Sequence, residues 1–516
     1  MRAGFAVRLA AVLSLALAAS ALASHAAAPD GGAPVPGEGP LHFRSYRFAL
    51  PGKVKFALYE DVNGDSLVDV VAVYGGSRAD DPSRNLVVFL QRKDGFSLEP
   101  DIRYRVPEDV AVIDVADVIA ESPGDELLML DAHGVSWLPL GAPPPDSTRE
   151  AAAGTRLIET PSVYAHADPV TLARRPFALR RKGEKLATIL IPVTGGYRVF
   201  YPADHYAVPD SFEMPHLHEV TRDSYAVHIS EASFADVNGD GADDLVLAYL
   251  DQLRVYFADG GRFHARPDVD LALGIITRED RDSPAGLAHL MGFQVKDLDG
   301  DSLADLFVWK RVIAKKAVIN DKQQYQIYRN RGGRFDRVPD QAFILRSLES
   351  EPKLRDLNGD GRPDLVTGTM DFSIGNLVKV LVTGRLNLDM DFFLGRPGGF
   401  PDEPDETRSI RIKVSVSNLD EFFVPAVETD GDYDGDGVND FLIQTADEEV
   451  AIYRGRHGGG GLYEKEPFVR LKTPAASGDV VKDMNGDGRD DIAFDHFADR
   501  KPFDPGWIVV LLSQAK

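Results

Sequence analysis

The stretch Asp236-Val237-Asn238-Gly239-Asp240-Gly241-Ala242-Asp243-Asp244 is one copy of a nine-residue pattern, D-x-[DN]-G-D-x-x-x-D, that recurs along the chain. The six copies begin at Asp61, Asp236, Asp297, Asp356, Asp432 and Asp483. Each copy follows a short strand-like run and precedes an apolar one, such as Leu245-Val246-Leu247-Ala248-Tyr249. Runs this short and this rich in β-branched residues predict strands rather than helices. The sequence therefore predicts a repeat protein built from strands.

A second motif follows most of these loops: a glycine turn, an aromatic residue and, four residues after the aromatic, a proline. Its five copies are Gly95-Phe96 with Pro100, Gly261-Arg262-Phe263 with Pro267, Gly333-Arg334-Phe335 with Pro339, Gly399-Phe400 with Pro404 and Gly461-Leu462-Tyr463 with Pro467. We expect the glycine to permit the turn, the aromatic ring to cap the sheet and the proline to end the edge strand. Each repeat is thus predicted to run as strand A, acidic loop, strand B, strand C, glycine turn and strand D.

Two further units keep this strand rhythm without a complete acidic loop. They cover residues 111–140, where Asp117 and Asp125 are candidate remnants of the loop, and residues 177–201. The apolar B strands then fall near residues 70, 127, 188, 245, 306, 365, 441 and 492. Such regular spacing predicts an all-β fold, a single β-propeller of eight four-stranded blades, with seven blades as the alternative. Since the last unit supplies only three strands, we expect the N-terminal strand from His42 to Leu50 to pair with it and close the ring.

Composition excludes several classes of protein. The 516 residues are 44% hydrophobic, enough for a folded core. Lys and Arg number 57 against 81 Asp and Glu, a net charge of −24, which argues against nucleic acid and against an anionic membrane surface as partners. The absence of cysteine excludes disulfides, thiolate metal sites and a cysteine nucleophile.

The N-terminus has the pattern of a targeting signal. Arg2 and Arg8 form a positive region ahead of an apolar stretch, residues 9–19, that is too short to span a bilayer, and Ala-x-Ala sites follow at 21–23 and 26–28. We therefore expect a signal peptide at 1–28, a flexible Pro/Gly-rich leader at 29–41 and the propeller at 42–516. The protein is predicted to be exported, periplasmic or secreted, and to have no transmembrane anchor.

The acidic loops have the chemistry of calcium sites. Oxygen ligands at positions 1, 3 and 5, a glycine at position 4 and a backbone carbonyl at position 7 suit a hard cation. An EF-hand would need an acidic residue at position 12, where this chain instead has Ala72, Leu247, Val308, Thr367, Ile443 and Phe494. The EF-hand is therefore excluded, and we expect the carboxylate at position 9 to complete the site.

These positions supply 24 predicted metal ligands for up to six Ca²⁺ ions, four from each loop. They are Asp61, Asn63, Asp65 and Asp69; Asp236, Asn238, Asp240 and Asp244; Asp297, Asp299, Asp301 and Asp305; Asp356, Asn358, Asp360 and Asp364; Asp432, Asp434, Asp436 and Asp440; and Asp483, Asn485, Asp487 and Asp491.

Loops such as Asp236-Val237-Asn238-Gly239-Asp240-Gly241, followed by Asp244-Leu245-Val246, resemble FG-GAP/VCBS repeats, the calcium-loop blades of the integrin alpha propeller. The resemblance extends over about residues 42–512 and implies one calcium ion per intact loop, held between strands A and B of a blade. Ser66 and Ser302 replace the usual glycine at position 6, which is expected to weaken those two sites. The second and third units lack the ligands and are expected to bind no ion.

No residue is predicted to be catalytic, because the chain contains no Walker loop, H-E-x-x-H or G-x-S-x-G motif. Two clusters could still carry chemistry, although solvated loops are the simpler interpretation of both. They are the histidines His205, His216, His218 and His228, and the basic residues Lys310, Arg311, Lys315, Lys316, Lys322, Arg329 and Arg331.

Two functions fit the sequence. The favoured one is a monomeric, non-enzymatic binding scaffold, stabilised by calcium, whose partner is an extracellular or periplasmic protein or glycan. The alternative is a calcium-dependent polysaccharide lyase, similar to the eight-bladed rhamnogalacturonan lyases. A lyase would need a basic residue and a histidine or lysine to converge at the mouth of the central channel.

Overall fold

The computed structural model describes residues 32–76, 83–141, 154–164, 172–220, 225–277, 280, 291–312, 322–347, 351–370, 374–413, 426–446, 449–456, 461–473, 479–496 and 506–514.

Each of the eight repeats forms one antiparallel sheet, and in blades 1 to 7 the strands A to D follow one another in chain order. Blades 1 to 4 consist of Val54–Glu60, Asp69–Gly75, Arg84–Phe89 and Ile102–Arg105; Val112–Ala116, Glu126–Asp131, Gly134–Pro139 and Thr155–Glu159; Ala178–Leu179, Thr188–Val193, Gly196–Phe200 and Asp210–Glu213; and Glu231–Ala235, Asp244–Tyr249, Gln252–Tyr256 and Val269–Ala272. Blades 5 to 8 consist of Met291–Lys296, Asp305–Arg311, Lys322–Tyr328 and Gln341–Arg346; Lys353–Arg355, Asp364–Met370, Arg385–Phe393 and Glu406–Lys413; Val427–Glu428, Phe441–Ala446, Glu449–Tyr453 and Val469–Leu471; and Asp479–Lys482, Asp491–His496, Trp507–Gln514 and His42–Ala49. The prediction of eight four-stranded blades is confirmed, and the seven-blade alternative is wrong.

The ring is closed by the two ends of the chain. Strand His42–Ala49 pairs antiparallel with Trp507–Gln514, from His42 opposite Gln514 to Ala49 opposite Trp507. It supplies the fourth strand that blade 8 lacks, as the sequence predicts. Without that strand, blade 8 would expose the unpaired N–H and C=O groups of an edge strand.

Two short strands lie within residues 29–41, the segment that the sequence predicts to be a flexible leader. Ala33–Pro34 pairs with strand D of blade 8, and Gly37–Glu38 pairs with strand D of blade 7. Both short strands lie on sheet edges, where a proline is tolerated because its nitrogen needs no hydrogen-bond partner.

The hydrophobic core lies between the blades. Buried residues form eight clusters, and each cluster is shared by two neighbouring blades, including blades 8 and 1. At the junction of blades 8 and 1, the rings of Phe48 and Phe89 lie 4.2 Å apart between their centroids. Burying a side chain of this size stabilises the fold by about 1.5–3 kcal/mol. The ring is therefore held together by packing between faces as well as by strand pairing.

The aromatic residues of the glycine-turn motif pack against the preceding blade. Phe96 of blade 1 contacts Tyr46 and Phe48 of blade 8, with centroids 5.4 Å apart in both pairs. Phe400 of blade 6 contacts Phe307 of blade 5 at 6.2 Å. The prediction that the proline ends the edge strand is wrong: each proline lies two residues before strand D begins. Proline instead fixes the backbone on entry to strand D.

Smaller elements decorate the ring. They are the hairpins Gln91–Arg92 with Gly95–Phe96, Leu217–Val220 with Tyr225–His228 and Ala258–Asp259 with Arg262–Phe263, the parallel strand Ala173–Arg174 beside blade 2, the short 3-10 helix Pro202–Asp204 and an α-helix, α1, at Ile374–Thr383. Helix α1 lies between strands B and C of blade 6, inside the long excursion that the sequence shows there. Its Val382 is 80% exposed.

Charged side chains join the A strands of neighbouring blades. Lys353 Nζ lies 2.6 Å from Glu428 Oε1 between blades 6 and 7. Lys482 Nζ lies 3.0 Å from Glu60 Oε2 between blades 8 and 1. Since every A strand runs in the same direction, all the A–B loops lie at one end of the ring.

Candidate metal centre

The six acidic loops occupy equivalent places in the propeller. Each one connects strand A to strand B of its blade, in blades 1, 4, 5, 6, 7 and 8. The aspartate at position 9 is the first residue of strand B in five of these blades, and Asp440 directly precedes strand B in blade 7. The sequence pattern thus coincides with a single structural position.

The aspartate at position 1 organises the turn in all six loops. Its two carboxylate oxygens accept the N–H groups of positions 4 and 6, at 2.7–2.9 Å. Positions 4 and 6 have positive φ angles, for example 79° at Gly239 and 89° at Gly241. Ser66 and Ser302 keep this left-handed conformation, each with a φ of 70°, although a side chain makes it less favourable.

The aspartate at position 9 has a structural role that the sequence did not predict. It is at most 1% exposed in every loop. One oxygen accepts the N–H of position 2 at 2.8–3.1 Å, and the other accepts an N–H near the end of strand C at 2.6–2.8 Å. The predicted metal ligand therefore also joins the loop to two strands.

Burial raises the pKa of these carboxylates above the usual range. The pKa is raised to about 7 for Asp69, Asp440 and Asp491 and to about 6 for Asp305 and Asp364. Desolvation is the largest cause, and backbone hydrogen bonds oppose it. A buried carboxylate near other acidic groups is stabilised by a bound cation, which offsets that desolvation.

Positions 3 and 5 lie nearer the surface. The carboxylate at position 5 accepts the N–H of position 7 at 2.8–3.1 Å in all six loops. In the four loops with asparagine at position 3, the amide oxygen accepts the N–H of position 5 at 2.8–2.9 Å. These bonds preorder the loop backbone through its own side chains.

Two loops bring three carboxylates together. Ligand atoms of Asp297, Asp299 and Asp305 in blade 5 lie within 4.8 Å of one another, and so do those of Asp432, Asp434 and Asp440 in blade 7. These are positions 1, 3 and 9, and the predicted ligands at position 5, Asp301 and Asp436, lie outside the two groups. Either triad could hold a metal ion.

An orphaned oxygen in each triad fits a cation. Asp299 Oδ1 and Asp434 Oδ1 are buried and accept no hydrogen bond. A buried carboxylate oxygen without a partner is costly, and a cation at the triad would supply the missing interaction. The side chains of Asp299 and Asp434 are only 14% and 10% exposed.

In blade 2, side-chain cations of the protein face the remnants of the acidic loop. Arg180 lies 3.6 Å from Asp125, and Lys185 lies 3.7 Å from Asp117. Glu126 takes the place of the position-9 aspartate, and its Oε2 accepts the N–H groups of Val118 and Ile119. Blade 2 thus retains the carboxylate that accepts backbone N–H groups of the loop.

The histidine and basic clusters are largely engaged within the fold. His216 is 6% exposed and its ring bonds to the Gly196 carbonyl at 2.9 Å. Lys310 is buried against Asp280 at 2.6 Å, and Arg331 lies 2.6 Å from Asp340. Lys315 and Lys316 lie outside the described residues. The structural interpretation of these residues is therefore favoured.

Within the described part of the chain, no helix is long and apolar enough to cross a membrane. The predicted signal peptide, 1–28, lies outside the described residues.

Two stretches of the chain, 297–367 and 432–494, match the family model described as FG-GAP-like repeat. They contain the acidic loops of blades 5 to 8. No curated protein was found to match the chain.

Solved structures are similar over most of the chain, at low identity. The Dos1 propeller is 8% identical and covers 90% of this chain and 93% of its own, with a TM-score of 0.40. A lectin of Agrocybe aegerita that recognises non-reducing terminal N-acetylglucosamine is 14% identical and covers 70% and 80%, with a TM-score of 0.39. BBS1N, solved in complex with ARL6DN, is 10% identical and covers 79% and 93%, with a TM-score of 0.34. The chain thus folds as an eight-bladed β-propeller, and its two stretches of FG-GAP-like repeat fit an FG-GAP repeat protein.

Proposed function

We propose that the protein is an exported, calcium-binding β-propeller that serves as a non-enzymatic scaffold for a protein or glycan outside the cytoplasm. Calcium has a structural role in this proposal, with one ion in each of the six acidic loops. The observation that carries it is the pair of carboxylate triads, in which Asp299 Oδ1 and Asp434 Oδ1 are buried without a partner.

The donor set favours calcium over softer metals. The chain has no cysteine, and the loops offer carboxylate, amide and carbonyl oxygens, which are the ligands of hard cations. In the ion-bound loop, the residues at positions 1, 3, 5 and 9 would hold the ion. Position 4 turns the backbone and position 9 anchors the loop to strands B and C.

Calcium binding would stabilise the ring. At a free concentration one hundred times the site dissociation constant, each ion adds about 2.7 kcal/mol to the free energy of unfolding. Six bound ions would also reduce the net charge of −24 to about −12, which lowers the repulsion within the folded chain.

Thermal melting tests the calcium part of the proposal. The melting temperature should rise in calcium relative to chelator, and titration calorimetry should find close to six ions per chain. Magnesium at equal concentration is the control, because it prefers a smaller and more rigid octahedral site. Equal melting temperatures in calcium and chelator would overturn the proposal.

A binding panel tests the scaffold part. The protein is incubated in calcium with immobilised acidic and neutral glycans and with extracellular protein fractions, and is assayed for retention and for release of unsaturated uronate. Retention without release supports a scaffold, whereas release would favour a lyase.

One cavity supports the lyase as a second candidate. Arg175, His228 and Glu231 line a cavity of about 270 Å³ beside strand A of blade 4. A cation and a histidine that share a cavity could bind and deprotonate a uronate. Arg175 already donates to the carbonyls of Ile229 and Ser230, at 3.3 and 2.8 Å, which favours the scaffold. Loss of any uronate release in Arg175→Gln and His228→Gln would support the lyase.

A further inference from the structure

One residue near the end of strand C differs between blades in step with position 3 of the acidic loop. This residue directly precedes the N–H group that binds the position-9 aspartate. It is Leu90, Phe257, Leu394 and Leu512 in blades 1, 4, 6 and 8, where position 3 is asparagine. It is Arg329 and Arg454 in blades 5 and 7, where position 3 is aspartate.

Each arginine contacts the aspartate of its own blade. Arg329 Nη1 pairs with Asp299 Oδ2, and Arg454 Nε lies 2.7 Å from Asp434 Oδ2. In both pairs the guanidinium takes one carboxylate oxygen, and the oxygen left over is the buried Oδ1 without a hydrogen bond. That aspartate, with positions 1 and 9, forms the carboxylate triad.

The two residues together carry no net charge in any of the six blades. Asparagine with leucine or phenylalanine is neutral, and aspartate with arginine sums to −1 + 1 = 0. An aspartate whose second oxygen is held by arginine therefore resembles an asparagine electrostatically. It presents one oxygen to the loop and adds no net charge.

We propose that Arg329 and Arg454 are positioning residues of the blade 5 and blade 7 calcium sites. Each arginine turns Oδ1 of the position-3 aspartate towards the ion and balances the additional charge, so that six loops of two compositions bind the same dication with similar affinity. This inference rests on the proposed calcium sites.

A competing explanation is purely structural. The Arg454 guanidinium lies 4.9 Å from the centroid of the Phe468 ring, a contact that could stabilise blade 7 without affecting an ion. A structural role would change the melting temperature in chelator and leave ion affinity unaltered. The test therefore measures affinity at the blade 7 loop.

Blade 7 offers a local reporter. Tyr433 occupies position 2 of its loop, where the other five loops have Val62, Val237, Leu298, Leu357 and Met484. A terbium ion bound in the blade 7 loop should therefore show emission sensitised by Tyr433. The part of the emission lost in Tyr433→Phe is assigned to this loop, and calcium is titrated against that part.

The experiment is a double-mutant cycle on the full chain. Arg454→Leu, which installs the residue of blades 1, 6 and 8, should tighten calcium binding about tenfold, because one negative charge near the ion is left unbalanced. Asp434→Asn should weaken binding about tenfold, because the arginine is left unbalanced. Asp434→Asn with Arg454→Leu recreates the pair of blades 1, 6 and 8 and should return the affinity to within about twofold of the unmodified protein.

Arg454→Gln and Arg454→Lys complete the set. Arg454→Gln keeps a hydrogen-bond donor without the charge and should behave like Arg454→Leu, whereas Arg454→Lys should stay close to the unmodified protein. Melting in chelator shows that each variant is folded.

Unchanged calcium affinity in both single variants, or weaker binding by both Arg454→Leu and Arg454→Gln, would overturn the inference. Failure of the blade 7 loop to bind terbium and calcium in the unmodified protein would instead refute the proposed calcium site itself.

Discussion

Tyr59 in strand A of blade 1 donates a hydrogen bond to Oδ1 of Asp495 in strand B of blade 8, a residue 436 positions later in the chain. Both side chains are buried, with 4% and 6% of their surface exposed. The contact crosses the junction at which the ring closes. Burial raises the pKa of Asp495 to about 6, against the opposing effects of the Tyr59 hydrogen bond and the charge of Arg174.

The raised pKa of Asp495 predicts that Asp495→Asn increases the stability of the folded protein by an amount that depends on pH. Between the unfolded pKa, near 4, and the folded pKa, about 6, the folded state holds a proton that the unfolded chain has released, so stability falls as the pH rises. The substitution removes this loss and should stabilise the protein by about 1–3 kcal/mol at pH 8. At pH 4 it should have little effect.

Urea unfolding of Asp495→Asn and the unmodified protein at both pH values measures the gain. Tyr59→Phe serves as the matched variant, because it leaves the carboxylate without its donor and should destabilise the protein at pH 8. An equal effect of Asp495→Asn at both pH values would contradict the assignment.

A comparison of Asp440→Ala with Asp436→Ala separates the structural role of position 9 from its role in metal binding. Asp440 accepts two backbone N–H groups in a fully buried place, and Asp436 is exposed. In chelator, Asp440→Ala should lose about 3–5 kcal/mol, because two buried donors lose their acceptor, while Asp436→Ala should lose less than about 1 kcal/mol.

In calcium, both variants should also lose part of the ion's stabilisation. Melting in the two buffers gives the comparison. Equal losses for the two variants in chelator would show that position 9 has no structural role of its own.

The serines at position 6 predict a stabilising substitution. Ser66 and Ser302 have a φ of 70°, a conformation that costs a residue with a side chain about 1–2 kcal/mol relative to glycine. Part of that difference is offset by the greater freedom of glycine in the unfolded chain. Ser66→Gly and Ser302→Gly should each add about 0.5–1 kcal/mol in chelator.

Gly241→Ser is the converse control, since Gly241 has a φ of 89°. It should destabilise blade 4 by about 1 kcal/mol. Chemical denaturation measures all three variants, and a loss of stability in the two serine-to-glycine variants would refute the strain argument.

The closing strand predicts a large effect from Phe48→Ala. Phe48 is 0% exposed and packs on Phe89 and Phe96 of blade 1. Truncating a fully buried phenylalanine costs about 3–5 kcal/mol, because packing contacts are lost and a cavity remains. His42→Ala, in the exposed first position of the same strand, should change stability by less than about 0.5 kcal/mol. A small effect of Phe48→Ala would mean that the packing of Phe48 contributes little to the closure of the ring.

The sequence was sufficient for the architecture because each blade is specified locally. The interval between B strands determined the blade number, and the missing strand of the last unit predicted the pairing of His42–Ala49 with Trp507–Gln514. The positions of the glycine-turn prolines were mispredicted, because a proline before a strand and a proline after one leave the same signal in a repeat. Helix α1 was not predicted, since its ten residues form an insertion outside the repeat pattern.

The sequence identifies the residues of the acidic loops but does not show which of them also hold the loop backbone in place. The pattern names position 9 as a ligand, and only the fold shows that Asp440 also accepts the N–H groups of Tyr433 and Gly455. The arginines that directly follow the C strands lie about 30 residues from their aspartates in blade 5 and 20 in blade 7. Aligning the six repeats on strand C would have exposed their relation to position 3.

The pairing of His42–Ala49 with Trp507–Gln514 also determines when the protein can be complete. Among the blade strands, the one that will end blade 8 is synthesised first and its neighbour is synthesised last. The first strand therefore stays unpaired while the seven other blades are made. Local pairing within each blade can form early, because its strands are adjacent in sequence. The last step is a single long-range closure, and a chain interrupted before Trp507 would remain an open arc with an unpaired, aggregation-prone edge.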